Sequence, residues 1–182
     1  MKKKMKITHN IFSHLFAAFV LLSMPGCKAE KPTSIDSIEI YQQIIRNIYL
    51  VDNSFGKPVD IQYLYILKAT DDGVGDSRIE KLPSENIPNE IIDGICTKLS
   101  DLSPEIVWIN TFDEVLDRSV SLNVKDGAIV TLGNIHYESN KKAYVSISIY
   151  FAGLAASGRT YILEKDKTTW KITGDTGERW VS

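Results

Sequence analysis

The stretch "KAYVSISIYFAG", residues 142–153, decides the fold class of this 182-residue chain. Its central side chains alternate between two sets, which are Val145, Ile147, Ile149 and Phe151 on one side and Tyr144, Ser146, Ser148 and Tyr150 on the other. A period of two indicates a β-strand, because successive side chains of a strand point to opposite faces of the sheet. We therefore expect one face of this strand to be buried and the other to be wetter.

Further stretches rich in β-branched and aromatic residues predict strands before and after this one. They are "VDIQYLYILKAT" (59–70), "EIVWIN" (105–110), "SVSLNV" (119–124), "AIVTLGNI" (128–135), "RTYILEKD" (159–166) and "TTWKIT" (168–173). Most of them follow one another through short polar connections. We therefore expect successive strands to pair antiparallel.

Two amphipathic helices are predicted in the first half of the folded part. In "SIDSIEIYQQIIRNIYLVD", residues 34–52, apolar residues recur at steps of three and four, and Ser34 or Asp36 can cap the helix. A second apolar stripe begins near Pro88 and ends near residue 102, and it includes Cys96 as a buried thiol.

The order of these elements predicts a single α+β domain over residues 34–182, in which two N-terminal helices pack on a mainly antiparallel, curved sheet. Helices that lead into a bent sheet and a closing hairpin resemble the cystatin or NTF2-like cone folds. That resemblance implies a scaffold that many functions share, so it assigns no activity.

The charge distribution argues against nucleic acid as a partner. The whole chain carries a net charge of −2, but residues 1–26 hold four lysines and no acidic residue. The remainder contains 17 basic and 23 acidic residues, a net charge of −6. A mature domain that acidic lacks the basic surface that phosphate backbones require, and anionic lipid should also repel it.

Residues 1–26 have the three parts of an export signal. A basic start, "MKKKMK", precedes the apolar stretch "IFSHLFAAFVLLSM" at 11–24 and a Pro-Gly stop. A helix needs roughly 20 apolar residues to cross the hydrocarbon layer of a bilayer, and this stretch is shorter. We therefore predict that this segment is a signal peptide.

The end of this signal, Gly26-Cys27, resembles that of a bacterial lipoprotein. The resemblance implies cleavage before Cys27, a diacylglycerol on its sulfur and a lipidated tether over residues 27–33. It also implies export to the cell envelope, on the outer membrane in a Gram-negative host because Lys28 is not Asp. Met24 and Pro25 depart from the usual pattern, so an ordinary secretory signal and an uncleaved anchor stay open.

A second resemblance extends over most of residues 40–182. The stretches "YLVDNSFGKP", "ATDDGVGDSRIEKLP", "VTLGNIHYE" and "SIYFAGLAASGRTYILEKDKTTWKITGDTGERWVS" are similar to a family of bacterial envelope or secreted proteins without a characterised activity. The resemblance implies an envelope or secreted location and no particular reaction.

The sharpest candidate site is "TDDGVGDSRIE", in which Asp71, Asp72 and Asp76 can offer oxygen ligands to a cation such as Ca²⁺. The spacing does not fit the twelve-residue EF-hand loop, and aspartate and glycine are also typical of turns. We expect a solvated loop and predict no metal site.

Two further polar candidates lie in the C-terminal half. His136 has Glu138 two residues away on the same face of a strand, and we expect it to be an ordinary surface residue. Glu178 lies three residues after Asp175 in "GDTGERW", where we expect a self-neutralised turn. No catalytic residue and no cofactor is predicted.

These patterns support two hypotheses about function. The first is a non-enzymatic lipoprotein, held to the membrane through Cys27, whose domain binds a small ligand or another envelope protein. The alternative is a carboxylate- or metal-assisted hydrolase of the envelope that uses the acidic loop, His136 or Glu178. Convergence of these side chains in one pocket would favour the enzyme.

Overall fold

The computed structural model describes residues 33–52, 60–119 and 122–182. The expected signal peptide, the lipidation of Cys27 and nearly all of the tether therefore lie outside the described residues. Among the helices that are described, none has the length and apolar character needed to cross a bilayer.

Two helices and eight strands make up the described domain. Helix α1 spans Ser34–Arg46 and continues as a π-turn over Asn47–Val51, and helix α2 spans Asn89–Lys98. The strands are β1 (Tyr63–Leu67), β2 (Glu105–Ile109), β3 (Leu116–Asp117), β4 (Asn123–Val124), β5 (Gly127–Ser139), β6 (Lys142–Ala152), β7 (Ala155–Asp166) and β8 (Thr169–Val181).

Six strands form one mixed, mostly antiparallel sheet in the order β2-β1-β5-β6-β7-β8, and β3 and β4 form a separate pair. The α+β class is confirmed. The expectation that successive strands pair antiparallel is wrong for β1, which runs parallel to both β2 and β5. Helix α2 lies between β1 and β2 in the chain, and such a helical crossover returns the chain in the same direction. Of the two helices that were predicted to precede the sheet, only α1 does so, because α2 follows β1.

Helix α1 buries its apolar stripe against one face of the sheet. Ile40, Ile44 and Ile45 are completely buried and pack in one cluster with Val145 and Ile147 of β6. The alternation in β6 is therefore confirmed on this face. Each such aliphatic side chain contributes about 1.5 to 3 kcal/mol relative to an exposed one.

Asp36 ties the start of α1 to the end of the sheet. Its carboxylate forms a capping box with Thr33 and accepts hydrogen bonds from Lys165 Nζ at 2.5 Å and Trp170 Nε1 at 2.8 Å. Burial alone would raise the pKa of Asp36, but the hydrogen bonds from Lys165, Trp170 and Thr33 outweigh it and lower the pKa to about 2.

Acidification is expected to destabilise the domain through Asp36. Because its pKa is about 2 when folded and 3.8 ordinarily, the folded state favours the ionised carboxylate. The resulting stabilisation of about 2 kcal/mol is complete above about pH 4 and is lost as the pH falls towards 2. Urea unfolding at a series of pH values measures this loss. The Asp36→Asn variant should show a shallower fall, and an equally steep one would contradict the assignment.

The second face of the sheet is buried too, which corrects the expectation of a wetter side. Residues 71–82, named the strap here, lie across this face, and Ser146 and Ser148 are only 3% and 6% exposed. The strap contacts the sheet through polar groups: the Asp76 N–H donates to Thr160 Oγ1 at 2.8 Å, and Trp180 Nε1 donates to the carbonyl of residue 74 at 2.9 Å.

The last two strands are longer than predicted. Strand β7 already begins at Ala155, and β8 continues to Val181, so "GLAASGRT" contributes mostly strand and "GDTGERW" is strand instead of a turn. Two backbone hydrogen bonds between Ala156 and Ser182 close the pairing at its end.

Cys96 is less buried than the apolar stripe predicts. The side chain is half-buried on α2, and Trp108 Nε1 donates a hydrogen bond to its sulfur at 3.2 Å.

Candidate functional site

Asp72 is the centre of a buried hydrogen-bond cluster at the start of the strap. It is only 5% exposed. One carboxylate oxygen accepts from the Asn134 N–H at 2.7 Å. The other accepts from the Leu82 N–H and from His136 Nε2, each at 2.9 Å, and from Asn134 Nδ2 at 3.1 Å. The acidic loop is therefore not solvated at this position.

The lowered pKa of Asp72 favours a carboxylate that stays ionised and accepts hydrogen bonds. Burial by itself would raise its pKa, but the hydrogen bonds from Asn134, Leu82 and His136 outweigh burial and lower it. An ionised carboxylate with four donors on it has little capacity left to bind a cation or transfer a proton. Its main role is to hold the strap against β5.

His136 is not an ordinary surface residue. Its imidazole is 16% exposed, and it contacts Asp72 instead of Glu138. Glu138 accepts a hydrogen bond from Tyr144 Oη at 2.5 Å and forms an ion pair with Lys142 at 2.9 Å. Glu138, the carboxylate two residues away in the sequence, is therefore not the partner of His136.

Asp76 and Glu178 both contact the guanidinium group of Arg78. Arg78 contacts Asp76 at 2.6 Å and Glu178 at 3.2 Å, which joins the strap to β8. The Arg78 side chain holds the pKa of Asp76 well below its usual range. Asp71, in contrast, is exposed and accepts the Gly73 N–H at 2.7 Å.

The candidate residues thus fall into two clusters and one exposed side chain, and not into a single pocket. Asp72 lies with His136, Asp76 lies with Glu178, and Asp71 belongs to neither cluster. Within the described ranges, no group of three or more histidine, cysteine, aspartate or glutamate residues is arranged to hold a metal ion.

A bulge in β5 creates a feature that the sequence reasoning missed. Strand β5 pairs with β1 only over Gly127–Val130, and its register against β6 shifts between Leu132 and Ile135. Tyr41 Oη donates to the Gly133 carbonyl at 3.1 Å inside the bulge, and burial raises the pKa of this phenol, which keeps it neutral. A glycine inside a strand pattern, as in "TLGNIHYE", is a signal for such a bulge.

Beyond the bulge, β5 has an open edge. Residues 135–139 pair with β6 on one side, and none of the strands described in this chain pairs with them on the other. A depression of about 320 Å³ lies on the helix side of this edge and is lined by Tyr41, Glu85 and Ile91 among others.

A second depression, of about 350 Å³, includes His136 and Tyr144 in its lining. Leu82, Ile135 and Tyr137 line both depressions, so we treat the two together as the edge cleft.

Comparisons of the chain with protein-family models, with curated proteins and with solved structures found no match.

Proposed function

We propose that this chain is an exported lipoprotein, anchored through Cys27, whose domain binds an extended polypeptide segment of another envelope protein in the edge cleft. The observation that carries the proposal is the half-paired end of β5. Its backbone polar groups at 136–139 have no strand beside them on one side among the described residues, and a depression opens on either flank.

An added strand fits this geometry because it completes the pairing that β5 lacks. Main-chain hydrogen bonds supply affinity in such β-augmentation, and pockets for alternate side chains supply specificity. Successive side chains of an added segment point to opposite faces of the sheet, so they would enter the two depressions in turn.

The lining favours an apolar side chain with a basic neighbour. On the helix side the cleft offers Ile87, Ile91 and Ile135, together with the exposed carboxylate of Glu85 at its rim. Residues two apart in a strand lie on the same face, so an apolar residue in this depression would place a lysine or arginine two positions away near Glu85. The net charge of −6 over residues 27–182 also favours a basic partner.

The edge cleft can be tested with a display library of short linear peptides. We expect enrichment of segments that carry an apolar residue and a basic residue two positions apart. Binding should slow hydrogen exchange of the backbone amides at 136–139. Glu85→Gln should weaken binding about threefold, as for an exposed ion pair, whereas Glu90→Gln on α2 should leave it unchanged. Peptides that protect other amides, or no enrichment at all, would refute this site.

The anchor can be tested separately from the cleft. The intact N-terminal mass of the natively expressed protein should show an acylated Cys27, and the protein should partition with membranes. Cys27→Ala should abolish acylation. An unmodified Cys27 in a soluble product would refute the anchor and leave the peptide-binding proposal to its own test.

The fold family is also a proposal beyond the α+β class. Helix α1 packed on the sheet and the bulge in β5 support a cystatin-like or NTF2-like cone, although β1 does not follow the antiparallel pairing expected of it. An experimental structure that superimposes on either family would test this.

One contact favours the hydrolase alternative. Asp72 orients the imidazole of His136 at 2.9 Å, and a histidine oriented by a carboxylate is a common general base. Under this alternative His136→Gln would abolish hydrolysis of an envelope substrate. Under the binding proposal neither the unmodified protein nor this variant hydrolyses such a substrate, and the variant weakens peptide binding because His136 lines the second depression.

A further inference from the structure

The domain has a second recess at the end where α1 begins. This depression of about 610 Å³, named the tether-end depression, lies between the β5–β6 and β7–β8 hairpin tips. Thr33, the first residue described, is part of its lining, as is Ile35, whose side chain is 74% exposed. Both lie where the chain arrives from the N-terminal segment.

The tether-end depression is cationic on an acidic domain. Three lysines and one aspartate line it, which gives a net charge of +2 against −6 for residues 27–182 as a whole. The aspartate, Asp36, is already held by Lys165 at 2.5 Å. Lys141 and Lys167 are exposed, and neither has an ion pair within the described ranges.

The lysines are held together by the fold. The backbone N–H of Lys165 donates to the carbonyl of Lys141 at 2.8 Å, which fixes the two hairpin tips side by side. Lys167 adopts a left-handed backbone conformation with φ of 57°, which turns the β7–β8 connection tightly. Asn140 and Thr168 add polar groups to the same lining.

The length of the tether limits how far this surface can lie from a membrane. Six peptide units join Cys27 to Thr33, and an extended chain spans at most about 3.5 Å per residue. Thr33 would therefore lie within about 20 Å of a lipid attached to Cys27. The tether-end depression, which Thr33 helps to line, would therefore lie within reach of the headgroup region.

We propose that the tether-end depression binds the phosphate group of an anionic lipid headgroup in the membrane that holds the anchor. The ammonium groups of Lys141 and Lys167 contact the phosphate oxygens, and the Thr168 hydroxyl and Asn140 amide are further donors. Ile35 lies at the apolar boundary of the headgroups. The orientation that follows rests on the proposed anchor, but the phosphate site itself does not.

The test uses residues 27–182 with Cys27→Ala, so that lipid binding is measured without an anchor. All of the described contacts lie within this part of the chain. Sedimentation with phosphatidylcholine vesicles, with and without phosphatidylglycerol, measures partitioning. We expect binding only with phosphatidylglycerol. Lys141→Gln with Lys167→Gln should lower it about tenfold or more, since each lysine near an anionic surface is worth about 1 kcal/mol.

A matched pair controls for loss of charge alone. Lys81→Gln with Lys125→Gln removes the same charge from exposed positions outside the depression and should leave partitioning within about twofold. An equal loss in both pairs, at unchanged melting temperature, would overturn the site. Inorganic phosphate tests whether the site binds free phosphate instead of a lipid headgroup. Slower hydrogen exchange of the amides at 140–142 and 165–168 with free phosphate, without any vesicle binding, would overturn the lipid assignment. Vesicle binding with an unacylated native Cys27 would support the phosphate site and refute only the anchor.

Discussion

Asp72→Ala is expected to lower the free energy of unfolding by about 3 to 5 kcal/mol. The substitution leaves the backbone N–H and the side-chain amide of buried Asn134 without this acceptor, and it also removes the acceptor of the part-buried Leu82 N–H. Each unsatisfied buried donor costs about 1 to 3 kcal/mol, and the strap loses its side-chain attachment to β5.

The neighbouring aspartate provides the control for this experiment. Asp71→Ala removes a single hydrogen bond to Gly73 on the surface, so it should cost about 1 kcal/mol or less. Urea unfolding of both variants, with a common slope against denaturant, measures the difference. Similar losses for the two variants would show that Asp72 is not the buried acceptor described above.

Gly75→Ala is expected to destabilise the domain by about 2 to 3 kcal/mol and to lift the strap from the sheet. A Cβ at residue 75 would lie 2.0 Å from Ser146 Oγ and 2.4 Å from Thr160 Oγ1. Both hydroxyls are buried and 2.9 Å apart in a hydrogen bond, so neither has room to retreat.

Hydrogen exchange and thermal melting measure this change. The amide of Asp76, which donates to Thr160, should exchange faster in the Gly75→Ala variant. Gly174→Ala is the control, because nothing lies within 4 Å of the Cβ that it would add. A Gly75→Ala protein that melts like the Gly174→Ala protein would contradict the close contact between the strap and β6.

The parts of the fold that could be predicted are those in which one face of an element meets the apolar core. The three- and four-residue steps of α1 and the alternation in β6 around Val145 and Ile147 indicate directly which side chains are buried. Local patterns of this kind do not say which strands become neighbours. The parallel pairing of β1 with β2 and β5 therefore escaped prediction.

The candidate site was harder to predict because the groups that bury its residues are themselves polar. Aspartate and glycine between residues 71 and 76 are what a solvated turn contains, and serines on β6 are what a wet face contains. Each set is buried by the other: Asp76 meets Thr160, and Gly75 admits the hydroxyl of Ser146. Polar surfaces that cover one another leave no hydrophobic signal in the sequence.

The attachments of the strap also set an order of events during folding. Its hydrogen bonds reach forward along the chain by 62 residues to Asn134, 84 to Thr160, 101 to Glu178 and 106 to Trp180. The contacts with Glu178 and Trp180 cannot form until residues 178 and 180 have been synthesised, whereas those with Asn134 and Thr160 can form earlier. The strap can therefore dock on β5 and β7 first and on β8 last.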